Sequence, residues 1–241
     1  MKRILSMLII LVFCISFAFS FVGCGDIFAG NYQSINKERF VALFNNMSFT
    51  GFESFTDGFD ISMQIKCGKY FEQYYKLTLK YNIKKNQMSA KIIIDNGYTD
   101  TETECYLDGI YFYEKTIDNK TNEVKTRKMR DTYGEYISDL LYQNFISNIS
   151  LFQIGFLEDT RFFADFSNGA KIMVVVNDKD EKTQNLGEVY YVFDNNKSLK
   201  GIKGNVFMYE DENINIINYK IIEYKGKVNI PKKAYSWNLF N

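Results

Sequence analysis

From Phe59 to Cys67 the chain reads FDISMQIKC, with every odd position apolar and every even one polar. Such period-two alternation sets one face of a strand against a core and the other toward water, the pattern of an antiparallel sheet. It returns at Tyr75, Leu77, Leu79 and Tyr81, between Lys76, Thr78 and Lys80, and again at Met88, Ala90, Ile92 and Ile94. Further strands are predicted at about 102–107, 110–117, 121–128, 151–156, 161–166, 170–177, 187–194, 201–210 and 213–224. The stretches NIKKNQ, DNKTN and DNNKSLKG between strands supply Asn, Asp or Gly for tight reversals. Two segments carry helical spacing instead. Phe40, Val41, Phe44 and Met47 form one apolar stripe that Ser34 would cap, and over 132–149 Tyr136, Ile137, Leu140, Leu141 and Phe145 line one side opposite Glu135, Asp139 and Gln143. A helix inserted among long amphipathic strands must bury its apolar side, and the concave face of the sheet is the natural place. The expected fold class is therefore α+β, mainly antiparallel β: a curved sheet, or half-barrel, wrapping one or two helices.

The chain opens differently. Lys2 and Arg3 precede an uncharged run from Ile4 to Phe21, which approaches the ~18–20 residues needed to cross a bilayer. It ends Phe21-Val22-Gly23-Cys24, with a small residue directly before a cysteine, and this resembles the lipobox of bacterial lipoproteins. The resemblance implies cleavage between Gly23 and Cys24 and lipid attached to the Cys24 thiol, although Phe21 stands where leucine is commonest and Val22 where alanine or serine is usual. Cys14 competes poorly because bulky Phe13 precedes it. A plain signal peptide or an uncleaved anchor are the alternatives. The expected organisation is a signal peptide at 1–23, a lipidated cysteine and tether at 24–33, and one β-rich domain at 34–241. Each buried methylene contributes about 0.8 kcal/mol, so two or more acyl chains would hold the protein firmly on the outer face of the cytoplasmic membrane. Later apolar runs are too short to span; KIMVVVND has the length of a buried strand.

Charge and composition narrow the function. The 29 basic and 29 acidic residues become 27 against 29 without Lys2 and Arg3, so nothing in the composition suggests a nucleic-acid or anionic-lipid surface. The densest basic cluster, Lys125-Thr126-Arg127-Lys128 with Arg130, reads as a solvated hairpin. Histidine is absent, which removes Ser-His-Asp and Cys-His catalysis and His-ligated zinc. Asp178, Asp180 and Glu181, and also Glu210-Asp211-Glu212, crowd oxygen ligands together, but the glycine and distal glutamate of an EF-hand loop are missing. No metal, cofactor or enzymatic activity is expected, and a monomer is. The single proline, Pro231, and the lack of a Gly/Ser linker favour one domain.

A lipobox, a short helix, amphipathic strands, a mid-chain helical insertion, then YYVFDNNKSLKGIKGNV and a last strand ending EYKGKVNIPKKA together resemble the LolA/LppX–LprG-like group of bacterial lipoproteins and lipoprotein carriers. The resemblance covers about residues 34–235 and is one of layout. It implies a half-barrel with an apolar cavity for acyl chains, and it transfers no catalytic residue. The candidate groove positions are Ile61, Met63, Ile65, Leu77, Leu79, Ile92, Ile94, Leu140, Leu141 and Phe145. The residues themselves leave two readings open. A lipid or other apolar ligand lies beneath the sheet; or those side chains, with Val175 and Ile221, fill an ordinary core, and the body shows a polar, tyrosine-rich surface (Tyr190, Tyr191, Tyr209, Tyr219, Tyr224) to a protein or glycan partner. Cys67 and Cys105 fall on inward faces, either as a disulfide or as buried thiols.

Overall fold

The computed structural model describes residues 26–47, 55–68, 72–131, 160–179, 183–210 and 213–237. Its strands are β1 (Gln33–Ile35), β2 (Gly58–Cys67), β3 (Gln73–Asn82), β4 (Gln87–Asp95), β5 (Asp100–Asp108), β6 (Tyr111–Asp118), β7 (Val124–Arg130), β8 (Arg161–Asp165), β9 (Ala170–Lys179), β10 (Thr183–Phe193), β11 (Leu199–Glu210) and β12 (Asn213–Glu223). One helix, α1 (Lys37–Asn45), follows β1, and a 3-10 turn at Lys232–Ser236 follows β12. All twelve strands join one antiparallel sheet in the order β1-β8-β9-β10-β11-β12-β2-β3-β4-β5-β6-β7. Two meanders, β2–β7 and β8–β12, are thus sutured along β12 and β2, where Ile221 faces Ile61. The sheet is curved and open, with β1 and β7 at its edges.

The register explains the two faces. One row runs Gln33, Ala164, Ile172, Tyr191, Ile202, Ile221, Ile61, Leu79, Ala90, Cys105, Glu114, Arg127. Its central members are buried in one continuous cluster. Toward β7 the same face turns polar: Thr103 and Thr116 hydroxyls lie 3.0 Å apart and Arg127 meets Glu114 at 2.6 Å. The edge strand VKTRKMR is mostly exposed, and its lysines guard an edge that would otherwise template further pairing. The basic cluster therefore sits on that strand, not at a turn.

The turns follow the expected chemistry. Asn86 in the β3–β4 reversal and Asn122 in the β6–β7 reversal take φ of 46° and 59°, a conformation asparagine tolerates, while Lys197 takes 63° between β10 and β11. Helix α1 is capped by Asn36, whose side chain accepts from the Arg39 amide at 2.9 Å; Ser34, the expected cap, lies in β1. The apolar stripe of α1 meets the core, with Phe40 stacked on Phe162 (4.3 Å) and Phe44 edge-on to Tyr191 (5.2 Å). The predicted 132–149 helix and 151–156 strand lie outside the described residues.

Two straps cross the opposite, polar face. Residues 26–32, expected as a loose tether, run from β11 toward β8. Phe28 is only 3% exposed, packed where Gly201 leaves no side chain in its way. The Tyr32 hydroxyl donates to the Phe28 carbonyl (2.7 Å), and the Asn31 amide donates to Asp165 (3.0 Å). At the far end, residues 226–237 return across β5 and β6: Asn82 donates to the Gly226 carbonyl (2.9 Å), and Ala234 is buried against Tyr106 and Tyr113. Among the described residues no helix is long and apolar enough to cross a membrane.

Candidate functional site

The sequence-predicted groove residues do share one face. Met63 faces Leu77, which faces Ile92; Ile61 faces Leu79; Ile65 faces Tyr75, which faces Ile94. Ile61, Met63, Leu77 and Leu79 are at most 1% exposed, and Ile65 and Ile92 at most 7%. Ile94 is partly buried beside them. Leu140, Leu141 and Phe145, with Gly23 and Cys24, lie outside the described residues. A side chain with almost no accessible surface has no water-sized void beside it, so the centre of this face is packed solid. Ile94 and its partner Tyr75 are only partly buried, and the Tyr75 hydroxyl is enclosed without a hydrogen-bond partner. Burial, with Cys105 nearby, drives its pKa far above the usual phenol value.

Val175 is a correction. Val174 and Val176 point into the core and Val175 is half-buried on the polar face, because an unbroken valine run hides the phase of the alternation. Of the two states left open for Cys67 and Cys105, the structure has the free thiols. They sit on β2 and β5 with β3 and β4 between, some 14 Å apart by strand spacing alone, and a disulfide needs Cα atoms within about 7 Å. Burial pushes both thiols up, Cys105 the further.

The tyrosines form no common surface either. Tyr191 and Tyr219 are core residues, Tyr190 is half-buried under the N-terminal strap, and Tyr224 donates to the nearby Lys227 carbonyl. The Tyr209 side chain is outside the described set.

What the sequence did not reveal is a depression of about 180 Å³ on the polar face between the two straps. Its floor is made by Thr78 and Ser89, short side chains on β3 and β4, and its walls by Asp60, Lys80, Lys91, Glu104 and Tyr106. Lys80 lies 3.5 Å from Asp60, Lys91 pairs with Glu102 at 2.7 Å, and Lys233 of the C-terminal strap reaches Glu104 at 3.3 Å. Partial burial raises the Asp60 carboxyl despite Lys80. Burial, then the neighbouring Glu104 carboxylate, pushes the Tyr106 phenol up to about 12. Tyr106 also carries Trp237, ring centroids 5.7 Å apart, and Tyr235 packs edge-on to Tyr113 while donating to Asp108 at 2.7 Å. The hydrogen bond to Asp108, then burial, pushes Tyr235 up to about 12. An aromatic shelf thus borders a small, charged hollow. The only signals for it in the chain were the lone tryptophan and the aromatic residues after Pro231.

Among the described residues no group of three or more Cys, Asp or Glu side chains could hold a metal ion. Asp180, Glu181, Asp211 and Glu212 lie outside them. Fold and faces together define an open, curved antiparallel α+β protein with a solid core and a strapped polar face. Comparison with protein-family models, with curated proteins and with solved structures finds no match to this chain.

Proposed function

We propose that this chain is an exported lipoprotein, held at the outer face of the cytoplasmic membrane through lipid on Cys24, whose non-enzymatic, monomeric body binds a protein or glycan partner on its polar face. The lipobox-like Phe21-Val22-Gly23-Cys24 supports the anchor. One observation carries the binding reading: among the described residues the apolar face is closed at Ile61, Met63, Leu77 and Leu79, while a depression opens among Asp60, Lys91, Glu104 and Tyr106. That hollow is smaller than the ~300 Å³ from which small-molecule pockets begin, so it suits one group protruding from a larger partner. Replacing Ser89 with arginine fills it without touching the core. The full-length S89R protein, with an unchanged melting temperature, is expected to lose about tenfold or more in affinity for isolated cell-envelope fragments or for ligands on a glycan panel. Equal binding by both proteins would remove the depression from consideration.

A second reading, binding or carriage of an apolar ligand, draws on the carrier-like layout and on the partly buried end of the core at Ile94 and Tyr75. Native mass spectrometry of the purified protein followed by lipid extraction tests it. Reproducible acyl species displaced by Ile92→Trp or Leu141→Trp support it, and a clean apo mass without uptake of fluorescent fatty acid sinks it.

A further inference from the structure

Lys203 and Lys220 face each other directly across β11 and β12. Like charges in that position repel. The Phe28 ring lies close to both amines, 5.9 Å from Lys203 and 5.7 Å from Lys220, and Lys203 also lies 5.5 Å from the Tyr190 ring. Asp26 approaches Lys203 at 3.9 Å, and Lys171 donates to the Ala29 carbonyl. The strap is therefore pinned over three lysines that also have carboxylates near them, Asp26 for Lys203, Asp60 for Lys220 and Asp165 for Lys171, and Ile27 stays exposed beside it. Only Gly25 separates Asp26 from Cys24, and a chain spans at most ~3.6 Å per step, so the Cys24 backbone must lie within about 7 Å of that of Asp26. A freely hinged tether would let the body tumble on its anchor. A seated one does not.

We infer that the polar face around Lys171, Lys203 and Lys220 rests against an anionic lipid surface, with residues 26–32 fixing that orientation. This inference depends on the Cys24 anchor proposed above. Anionic headgroups would relieve the Lys203–Lys220 repulsion further. The depression does not compete for the same space. Its floor on β3 and β4 lies two to three strand steps from Lys220 on β12, although its Asp60 wall stands on β2, next to that strand, and feels the Lys220 charge; a twist of ~20–25° per step turns the floor roughly 40–75° away from the lysines. The partner site then opens sideways along the membrane.

Trp237, the chain's single tryptophan, supplies a built-in remote reporter on the C-terminal strap. The full-length protein, expressed with its leader in a bacterial host, is reconstituted in vesicles of equal parts phosphatidylglycerol and phosphatidylcholine carrying a headgroup nitroxide. Intact mass reads acylation. Tryptophan quenching is compared between the wild type and Trp237→Phe variants carrying Asn218→Trp or Asn205→Trp, exposed positions on β12 and β11. Quenching about twofold stronger at both positions than at Trp237 is expected, and Phe28→Ala should bring the values together. An acylated protein with equal quenching overturns the orientation and leaves the anchor standing, as does a difference that survives Phe28→Ala. An unmodified, soluble protein overturns both.

Discussion

Leu77 offers the sharpest test of whether the apolar face is core or groove. It is fully buried on β3, with Met63 opposite on one side and Ile92 on the other. Replacing it with alanine deletes three carbon groups, a transfer loss of ~2.4 kcal/mol at about 0.8 kcal/mol each. In a filled core the surrounding strands cannot collapse far, and the cavity left behind raises the cost to ~3–5 kcal/mol. A domain of this size would melt ~6–20 °C lower. Ile93, one residue from Ile92 but half-buried on the polar face, is the matched control; Ile93→Ala should cost less than ~1 kcal/mol. Urea titration followed by far-UV circular dichroism reads both, with unchanged slopes showing that only stability has moved. In a ligand groove Leu77→Ala would merely widen an existing space. A loss below ~1 kcal/mol for Leu77→Ala, matching the Ile93 control, would refute the solid core and restore the lipid-carrier reading.

Gly204→Ala should cost ~1–3 kcal/mol by urea titration, because its methyl would overlap the buried Tyr219 ring across the β11–β12 pair; a neutral change would show that the ring can move aside. Asp165 is held below the ordinary carboxylate value of 3.8 by the Ser167 backbone and hydroxyl and by the Asn31 amide. A lowered pKa means a contribution present above that value and lost as pH falls through the folded one, so protection of the Asn31 amide, corrected for the intrinsic exchange rate at each pH, should be lost only in acid. Loss of protection between pH 7 and 5 would contradict the assignment. The buried Cys105 thiol should react with Ellman's reagent far faster in denaturant than in the native state, and unfolding curves with and without reductant should superimpose; a reductant-dependent shift would reinstate the disulfide.

The strands of β2 to β6 were legible nearly residue by residue because each has one wet and one dry face, so the periodicity records the sheet. That same record fails where both faces are apolar, as at Met173–Val176, and where a strand is as short as β1. It is silent about neighbours: nothing local marks β12 as the partner of β2, and so nothing placed Cys67 and Cys105 apart. The N-terminal strap read as a tether because DIFAGNY is too short for periodicity, yet Phe28 and Tyr32 were aromatic residues with no strand to belong to. Turn chemistry transferred well at Asn86 and Asn122. Of the depression only the aromatic border after Pro231 left a trace in the chain; the hollow itself arises from short side chains on two strands standing beside long ones on their neighbours.

The suture between β12 and β2 has a kinetic side. Every other pairing within each meander joins strands close in the chain, whereas Ile61 must wait for Ile221, roughly 160 residues further on. At synthesis rates of ~5–20 residues per second the interval is on the order of ten to thirty seconds. During it the hydrogen-bonding edge of β2, with Phe59, Ile61, Met63 and Ile65 along it, has no partner. Such an edge is the kind that recruits other chains. The molecule's greatest exposure to aggregation therefore falls before its last long strand arrives, and a cell that makes it would do well to keep the chain unfolded until β12 is in hand.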